Sequence, residues 1–295
     1  MRVLVCGASG FAGEAVATEL LRRGHTVRGF DVAPPPHSSH DGCCWRRGAL
    51  TDHGAVAAAV AGMDAVVDAA KCGASSSAMP GRRPDQSHGY SVLDAGPWVT
   101  HLQGLWNILD AASHSPSCRR VVHVGSCQAV WPKGGAAVRR FTEDVRSPEG
   151  DIYGLTKRLQ EELCQSYNQA HGLPIIVLRA SSILDSFAGL SRNGALPADQ
   201  AARLRQRHPD ELFSSQSVCR WDLAAACSAA CELPVGAEDF AVLHAVNECR
   251  VSLASCNVVR KVAVLGVRFR QVTVGDMLGL REVATPTAAV LAARL

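Results

Sequence analysis

The amino-acid sequence predicts an α/β fold in which helices cover both faces of a doubly wound parallel sheet, followed by a small C-terminal lobe. Two observations predict the sheet. Short apolar runs that suit buried strands alternate with segments whose apolar residues recur at helical spacing. The first apolar run also leads directly into a glycine-rich turn and then a helix. The alternation loosens after residue 180, so we expect one domain over residues 1–180 and a small lobe over 181–295, interleaved with the last strands of the sheet.

A glycine turn joins the first predicted strand, Val3–Cys6, to the first predicted helix, Glu14–Arg23. Its glycines at positions 7, 10 and 13 are three residues apart. Glycine lets bare backbone approach a diphosphate group, and the N–H groups at a helix N-terminus attract the negative charge. The pattern Gly-x-x-Gly-x-x-Gly therefore predicts a phosphate cradle. The alternative is an ordinary glycine-rich turn between a strand and a helix.

The other elements continue the alternation. Asp52 is suited to cap the N-terminus of a helix that Gly62 ends. Two stretches, 72–97 and 127–150, lack a clear period, and the first is rich in Ser, Gly and Pro, which predicts a long loop. The predicted strands are 26–30, 65–68, 120–124, 175–179 and 240–245, and the predicted helices are 53–61, 98–112, 152–170 and 221–231.

An acidic residue, Asp31, ends the second predicted strand. In dinucleotide-binding sheets an acidic side chain at this place accepts hydrogen bonds from the adenosine ribose and repels a 2′-phosphate. Asp31 therefore favours NAD over NADP, unless it only begins a turn. Arg28 is the nearby group that could accept a 2′-phosphate, but it lies inside the strand and is the weaker candidate.

A tyrosine and a lysine, Tyr153 and Lys157, lie four residues apart at the start of the helix predicted over 152–170. Residues at this spacing share a helix face. An ammonium group beside a phenol stabilises the phenolate and lowers the phenol pKa from about 10. A tyrosine tuned in this way can pass a proton to or from a substrate oxygen while a hydride moves to or from a nicotinamide.

Composition excludes several classes of function. The net charge of +3 is too small to indicate a nucleic-acid or anionic-membrane partner, and no apolar run is long enough to cross a bilayer. The 12 cysteines and 11 histidines are dispersed, without the spacing of a zinc site, so we expect no metal and mostly buried thiols. The first strand begins at Val3, which leaves no room for a signal peptide, and we expect a cytoplasmic protein.

Together these motifs resemble the extended short-chain dehydrogenase/reductases, in the NAD-dependent epimerase/dehydratase branch. The resemblance covers roughly residues 1–245. Besides the glycine turn and the Tyr-x-x-x-Lys motif, it depends on the segments Arg47–Asp52, Phe141–Asp144, His171–Pro174, Leu178–Arg179 and Trp221–Ala224.

The resemblance implies a Rossmann-type NAD-binding domain, a substrate-binding lobe and a homodimer built on the helices 98–112 and 152–170. It makes Tyr153 the acid/base and gives Lys157 a second role in binding the nicotinamide ribose. The implied cofactor contacts are Gly7, Ser9, Gly10, Phe11, Ala12, Gly13, Asp31, Leu50, Ala69, Ala70 and Lys157.

The chain departs from the family at the residue that holds the substrate oxygen. The family places Ser or Thr there, and this chain has Cys127, which is a poor hydrogen-bond donor. Ser126, Gln128 or a shifted turn is the expected substitute. Ser126 or Cys127 is the candidate to position the substrate oxygen, unless Cys127 is only a packed small residue. Three further departures are Ala49 for the adenine-contacting Asp, His101 for the usual Asn, and Ser214 or Ser215 near the place of a phosphate-binding arginine. Arg220 lies close to that place and is a candidate substrate contact.

Three hypotheses about function stay open on the sequence alone. The first is an NAD-dependent oxidoreductase or epimerase acting on a carbinol or ketone of a small polar, sugar-like substrate. The second keeps this chemistry with a nucleotide sugar as substrate. The third is a dinucleotide-binding regulatory protein that has lost its catalytic serine, against which the intact Tyr153 and Lys157 argue.

Overall fold

A computed structural model describes residues 1–33, 42–71, 98–130, 152–185, 190–191, 194–195, 217–234 and 239–245. Its strands are β1 Arg2–Cys6, β2 Thr26–Asp31, β3 Cys43–Arg47, β4 Ala65–Asp68, β5 Val121–Ser126, β6 Ile175–Ala180, β7 Ser182–Asp185, β8 Leu190–Ser191, β9 Gly194–Ala195, β10 Ser217–Cys219 and β11 Phe240–Ala245. Its α-helices are α1 Phe11–Arg22, α2 His53–Val60, α3 Gly104–His114, α4 Ile152–His171 and α5 Arg220–Glu232. A π-helix, Trp98–Gln103, precedes α3, and a 3-10 helix, Cys127–Ala129, follows β5.

Seven strands form one parallel sheet in the order β11-β6-β5-β4-β1-β2-β3. The chain builds β1, β2 and β3 outward in one direction and then returns to add β4 on the other side of β1. Ligands of such sheets bind beyond the carboxyl ends of the strands at this reversal of order. The fold is therefore the predicted doubly wound Rossmann type, and its ligand-binding edge lies where β1 and β4 end.

Two apolar cores cover the two faces of this sheet. The helices α1 and α5 pack on one face and α2, α3 and α4 on the other. Neighbouring strand residues alternate between the cores: Val122 belongs to the first and Val121 to the second. Because parallel strands are buried on both faces, they read as the continuous apolar runs from which the sheet was predicted.

The predicted ends of the elements agree with their chemistry. The carboxylate of Asp52 accepts a hydrogen bond from the N–H of Ala55 and so caps α2. Gly24, Gly62 and Gly172 follow α1, α2 and α4 with φ of 82°, 75° and 64°. These conformations are open to glycine at little cost, so the three glycines end the helices as expected.

Three features differ from the prediction or add to it. The strand β3 was not predicted, because three of its five residues are exposed and its sequence does not alternate. The helix predicted over 98–112 begins with the π-helical turn. A second sheet of order β10-β7-β8-β9 spans residues 182–219, and the sequence predicted only a loosening of the pattern over 181–217.

Some predictions concern residues that the structure does not describe, or a boundary that it does not test. The predicted loop 72–97 and residues 131–150, with the family segment Phe141–Asp144, lie outside the described residues. The division at residue 180 stays a prediction, although β11 does join the main sheet beside β6. None of the described helices is long and apolar enough to cross a membrane.

Candidate active site

The glycine turn after β1 is shaped by two close backbone contacts. Gly7 has φ of 75°, and a Cβ built on it would lie 2.6 Å from the Cα of Ala70. A Cβ on Gly13 would lie 2.1 Å from the carbonyl oxygen of Gly7. Real Cβ atoms do not approach this closely, so the turn requires glycine at both positions. The first close contact joins the turn to the end of β4, and the second joins it to α1.

The helix α1 begins at the turn with Gly10 as its N-cap. Gly10 has no side chain that could cap this end of the helix. The N–H groups of the first turn of a helix lack partners within the helix, and together with the helix dipole they favour an anion. The turn and the uncapped end of α1, at Phe11 and Ala12, therefore fit a diphosphate, as the sequence predicts.

Asp31 lies directly beside the glycine turn. Its carboxylate accepts hydrogen bonds from the N–H groups of Ser9 and Ala33, both at 3.0 Å. The Ser9 hydroxyl donates to the carbonyl of Ala33 at 3.3 Å, which ties the same two segments together. The acidic group predicted for the adenosine ribose is thus held at the cradle.

Arg28 is turned away from this position. Its guanidinium donates to the carbonyls of Ala59 and Ala61, at 2.7 and 3.0 Å, at the C-terminal end of α2. These carbonyls carry the negative end of the helix dipole, which a cation stabilises. Arg28 therefore caps α2, and the preference for NAD that Asp31 predicts is not opposed by it.

Leu50, Ala69 and Ala70, the remaining predicted cofactor contacts, lie at two places. Ala69 and Ala70 follow β4, where the N–H of Ala69 donates to Cys6 and that of Ala70 to the Asp68 carboxylate. They form the wall against which Gly7 packs. Leu50 is buried in the core beneath α3, and its carbonyl accepts from the side chain of Asn107 at 2.7 Å.

Tyr153 and Lys157 lie together in the first turns of α4, and both are buried. The Lys157 ammonium is 5.9 Å from the centre of the Tyr153 ring and donates a long hydrogen bond of 3.5 Å to the carbonyl of Val124. The His101 ring meets the Tyr153 ring edge-on at 5.8 Å. The two residues of the predicted acid–base pair thus lie together, and the His101 ring contacts Tyr153.

The orientation of His101 is set by Thr156. The Thr156 hydroxyl donates to the carbonyl of Tyr153, so its hydrogen is already used. His101 Nδ1, 3.0 Å from the same hydroxyl oxygen, must therefore donate and carry the proton. The side chain of Gln160 donates to the His101 carbonyl at 2.8 Å and fixes the π-helical turn against α4.

A second lysine, which the sequence reading missed, lies at the same tyrosine. The Lys71 ammonium is 4.9 Å from the centre of the Tyr153 ring, closer than that of Lys157. Lys71 directly follows Ala70 at the end of β4, the edge where ligands of parallel sheets bind. A usable signal existed, because only four of the 30 basic residues are lysines: Lys71, Lys133, Lys157 and Lys261.

A protein-family model, that of the NAD dependent epimerase/dehydratase family, matches residues 3–226. The chain belongs to this family. The resemblance inferred from the motifs is confirmed, and NAD is the cofactor by which the family is defined.

The curated relatives include dehydrogenases, a reductase and proteins without a characterised activity. A 3 beta-hydroxysteroid dehydrogenase/Delta 5-->4-isomerase of Mycobacterium tuberculosis is 30% identical over 187 residues, which are 62% of this chain and 47% of that protein. The chain thus spans about half the length of these curated relatives.

Solved structures of low sequence identity share the fold. A short-chain dehydrogenase/reductase superfamily protein of Agrobacterium tumefaciens with bound NAD is 21% identical, with a TM-score of 0.69 over 95% of each chain. Uronate dehydrogenase of the same organism is 18% identical, with a TM-score of 0.65 over 97% of this chain and 90% of that one.

Ser126, Cys127 and Gln128, the residues predicted around the substrate oxygen, lie at the end of β5 and directly after it. The Cys127 thiol is buried and donates to the carbonyl of Arg179 in β6 at 3.3 Å. The Ser126 hydroxyl oxygen accepts a hydrogen bond of 3.2 Å from the N–H of Gln128. Such a hydroxyl keeps its own hydrogen to donate. The Cys127 thiol is thus engaged with a backbone carbonyl, whereas the Ser126 hydroxyl still has a hydrogen to donate.

Arg220 lies beside the start of α1, next to the glycine turn. Its guanidinium pairs with the Glu14 carboxylate at 3.1 Å and lies over the rings of Phe11 and Trp221, at 4.9 and 4.7 Å. These contacts join the start of α5 to the start of α1. The substrate role predicted for Arg220 stays a prediction.

A buried ion pair and a buried histidine–carboxylate hydrogen bond support α4 and the centre of the sheet. Glu161 and Arg179 form two hydrogen bonds of 2.8 Å, and the ring of His123 meets Asp68 at 2.9 Å. The Glu161–Arg179 pair compensates its own charges, as buried charges must. Among the described residues no cluster of His, Cys, Asp and Glu could hold a metal ion.

Proposed function

We propose that the protein is an NAD-dependent oxidoreductase or epimerase that transfers a hydride between the cofactor and a carbinol or ketone carbon of a small polar, sugar-like substrate. Family membership and the glycine cradle support the cofactor. The observation that carries the reaction is Tyr153, buried in contact with two ammonium groups, those of Lys71 and Lys157.

The residues at the cradle fit NAD. The backbone at Gly10, Phe11 and Ala12 would hold the diphosphate, because a Cβ at Gly7 or Gly13 would close the turn and Gly10 has no side chain that could cap α1. The Asp31 carboxylate would hold the adenosine ribose, and Lys157 the nicotinamide ribose. When bound, the nicotinamide ring gives or takes the hydride.

Proton transfer is assigned to Tyr153. Its phenol would give a proton to a ketone oxygen in reduction and take one from a hydroxyl in oxidation, because nearby ammonium groups stabilise the phenolate. Ser126 would hold the same substrate oxygen through its hydroxyl hydrogen. The Cys127 thiol is bonded to the carbonyl of Arg179 and takes no part in this scheme.

The described side chains around Tyr153 favour a polar substrate. Lys71, Lys157 and His101 contact its ring and present charge and polarity. Two alternatives keep the same chemistry. A nucleotide sugar is the second reading of the sequence, and a hydroxysteroid is favoured by the 30% identity to the mycobacterial steroid dehydrogenase.

The test is the Tyr153→Phe variant, measured with NAD and a panel of sugars, sugar acids, nucleotide sugars and 3β-hydroxysteroids by NADH absorbance. Removing the phenol oxygen should lower turnover about 10²-fold or more and leave NAD affinity unchanged. Tyr167→Phe, at a tyrosine of the same helix stacked on His171, is the matched control and should keep full turnover. Equal turnover of the wild type and Tyr153→Phe would end the assignment.

We also propose that a second copy of the chain covers the outer face of α3 and α4. An apolar depression there is lined by Leu102, Gln103, Trp106, Leu159 and Leu163. Trp106 is 44% exposed, which is unusual for so large an apolar side chain. Light scattering should show a dimer, and Trp106→Asp should yield monomers.

A cytoplasmic location also stays a proposal, supported by the described cysteines, which are free thiols.

A further inference from the structure

The ammonium nearest to the Tyr153 ring lies outside the Tyr-x-x-x-Lys motif. Lys71 Nζ is 4.9 Å from the ring centre, and Lys157 Nζ is 5.9 Å from it. Both distances lie within the range of cation–π attraction. The tyrosine is thus in contact with two cations that reach it from different elements, one from the end of β4 and one from α4.

The position of Lys71 is fixed by the backbone before it. The N–H of Ala70 donates to the Asp68 carboxylate at 3.1 Å, and the N–H of Ala69 donates to the carbonyl of Cys6 at 3.0 Å. Gly7 packs directly against Ala70. The same backbone that forms one wall of the cofactor cradle therefore leads into Lys71.

Burial makes the second cation matter. Tyr153 is only 7% exposed, and burial by itself disfavours a phenolate. An opposite charge close to a phenol favours its charged form. Two ammonium groups within 6 Å of the ring centre therefore favour the phenolate more than one.

The neighbouring charged groups do not cancel this effect. On α4, Glu161 is bonded twice to Arg179 of β6, and on β4, Asp68 is bonded to His123 of β5. The π-helical turn contributes His101, whose Nδ1 donates to Thr156. The carboxylates of Glu161 and Asp68 are thus each hydrogen-bonded to a partner other than Lys71, Lys157 or Tyr153.

The residue type also fits. The chain uses arginine for nearly all of its basic residues, yet two of its four lysines contact this one ring. Lysine carries a compact point charge, whereas arginine spreads its charge over a plane. A compact charge acts more strongly on one nearby group.

We propose that Lys71 is a positioning residue of the acid–base centre, which acts with Lys157 to hold Tyr153 in the state where its phenolate is accessible near neutral pH. The inference rests on the proposed role of Tyr153. Lys71 acts through the ring of the tyrosine, with no bond of its own to the substrate.

The experiment is an ultraviolet titration of tyrosinate in the full chain without cofactor or substrate. The chain has three tyrosines, so the difference between each protein and its Tyr153→Phe counterpart isolates Tyr153. Lys71→Met should raise the midpoint of that difference by about one pH unit. Lys71→Arg should restore most of the shift, because it restores the cation. Arg22→Gln, which removes an exposed charge from the far end of α1, should leave the midpoint unchanged.

A second measurement uses turnover. In Lys71→Met the pH at which oxidation reaches half of its maximal rate should rise by the same amount, with Lys71→Arg again close to the wild type. An unchanged tyrosinate midpoint would overturn the proposal. So would a loss confined to the KM of acidic substrates, because that pattern belongs to a substrate ligand. Since the titration needs no turnover, failure of the proposed reaction and failure of the Lys71 proposal are distinguishable.

Discussion

The two sides of the active site are built from different parts of the polypeptide. The cradle for the cofactor is made by backbone: Gly7 and Gly13 contribute shape, and the first turn of α1 contributes N–H groups. The acid–base side is made by charged and polar side chains around Tyr153. The cofactor side depends on glycines that lack side-chain atoms, so it tolerates almost no added group there. The acid–base side depends on charge and should respond to pH and to conservative replacement.

Gly13→Ala, a substitution on the cofactor side, is expected to have the largest effect. The added Cβ would lie 2.1 Å from the Gly7 carbonyl oxygen, so α1 must move away from the turn. We expect a loss of about 2–4 kcal/mol in unfolding free energy and no measurable NAD binding. Gly54→Ala is the control. Its Cβ would meet only ordinary contacts, and alanine should stabilise α2 by about 0.5–1 kcal/mol. Urea unfolding and NAD titration measure both.

A smaller effect separates Ser126 from Cys127. If Ser126 holds the substrate oxygen, Ser126→Ala should lower kcat about 10²-fold, as for loss of one donor to a developing charge. Cys127→Ser should change kcat less than threefold, because the residue is turned to the carbonyl of Arg179. A large gain from Cys127→Ser would instead show that the family's usual position is still the one used.

A substitution of Arg220 tests how much the contacts between the start of α5 and the start of α1 contribute to the unfolding free energy. Its pair with Glu14 is 14% and 26% exposed, and its guanidinium also lies between two aromatic rings. Arg220→Met should lower the unfolding free energy by about 1 kcal/mol. Arg22→Met removes a guanidinium that is 61% exposed and should cost less than about 0.5 kcal/mol. Equal losses in urea unfolding would show that the partly buried contacts of Arg220 stabilise the fold no more than an exposed ion pair does.

The smallest effect concerns pH and lies far from the catalytic tyrosine. Burial would raise the pKa of Glu19, but its bonds to Arg22 and Arg23 outweigh burial and hold that pKa below its usual value. A carboxyl with a lowered pKa in the folded state stabilises the fold above its unfolded pKa of about 4.3 and loses this contribution as pH falls. Glu19→Gln should therefore flatten the decline of stability below about pH 4.5, by less than 1 kcal/mol in acid unfolding curves. An unchanged slope would show that the pair contributes nothing.

The cradle could be predicted from sequence because it is local: one strand, three glycines and one helix lie within the first 22 residues. The acid–base pair could be predicted for the same reason, since Tyr153 and Lys157 share one helix face. Lys71 and His101 could not, because only the folded sheet brings the end of β4 and the π-helical turn to that ring. The strand β3 escaped prediction because an edge strand with exposed arginines lacks the apolar signal on which the other strands depend.

That edge strand has a consequence for the behaviour of the protein in concentrated solution. β3 is the last strand of the sheet within the described chain, and Cys44, Arg46 and Arg47 on it are exposed. Exposed strand edges can pair with other molecules, and like charges placed on such an edge repel a second copy. The guanidinium groups of Arg46 and Arg47 are therefore expected to protect the protein from edge-to-edge aggregation. Oxidation of the exposed Cys44 thiol beside them is expected to undo that protection.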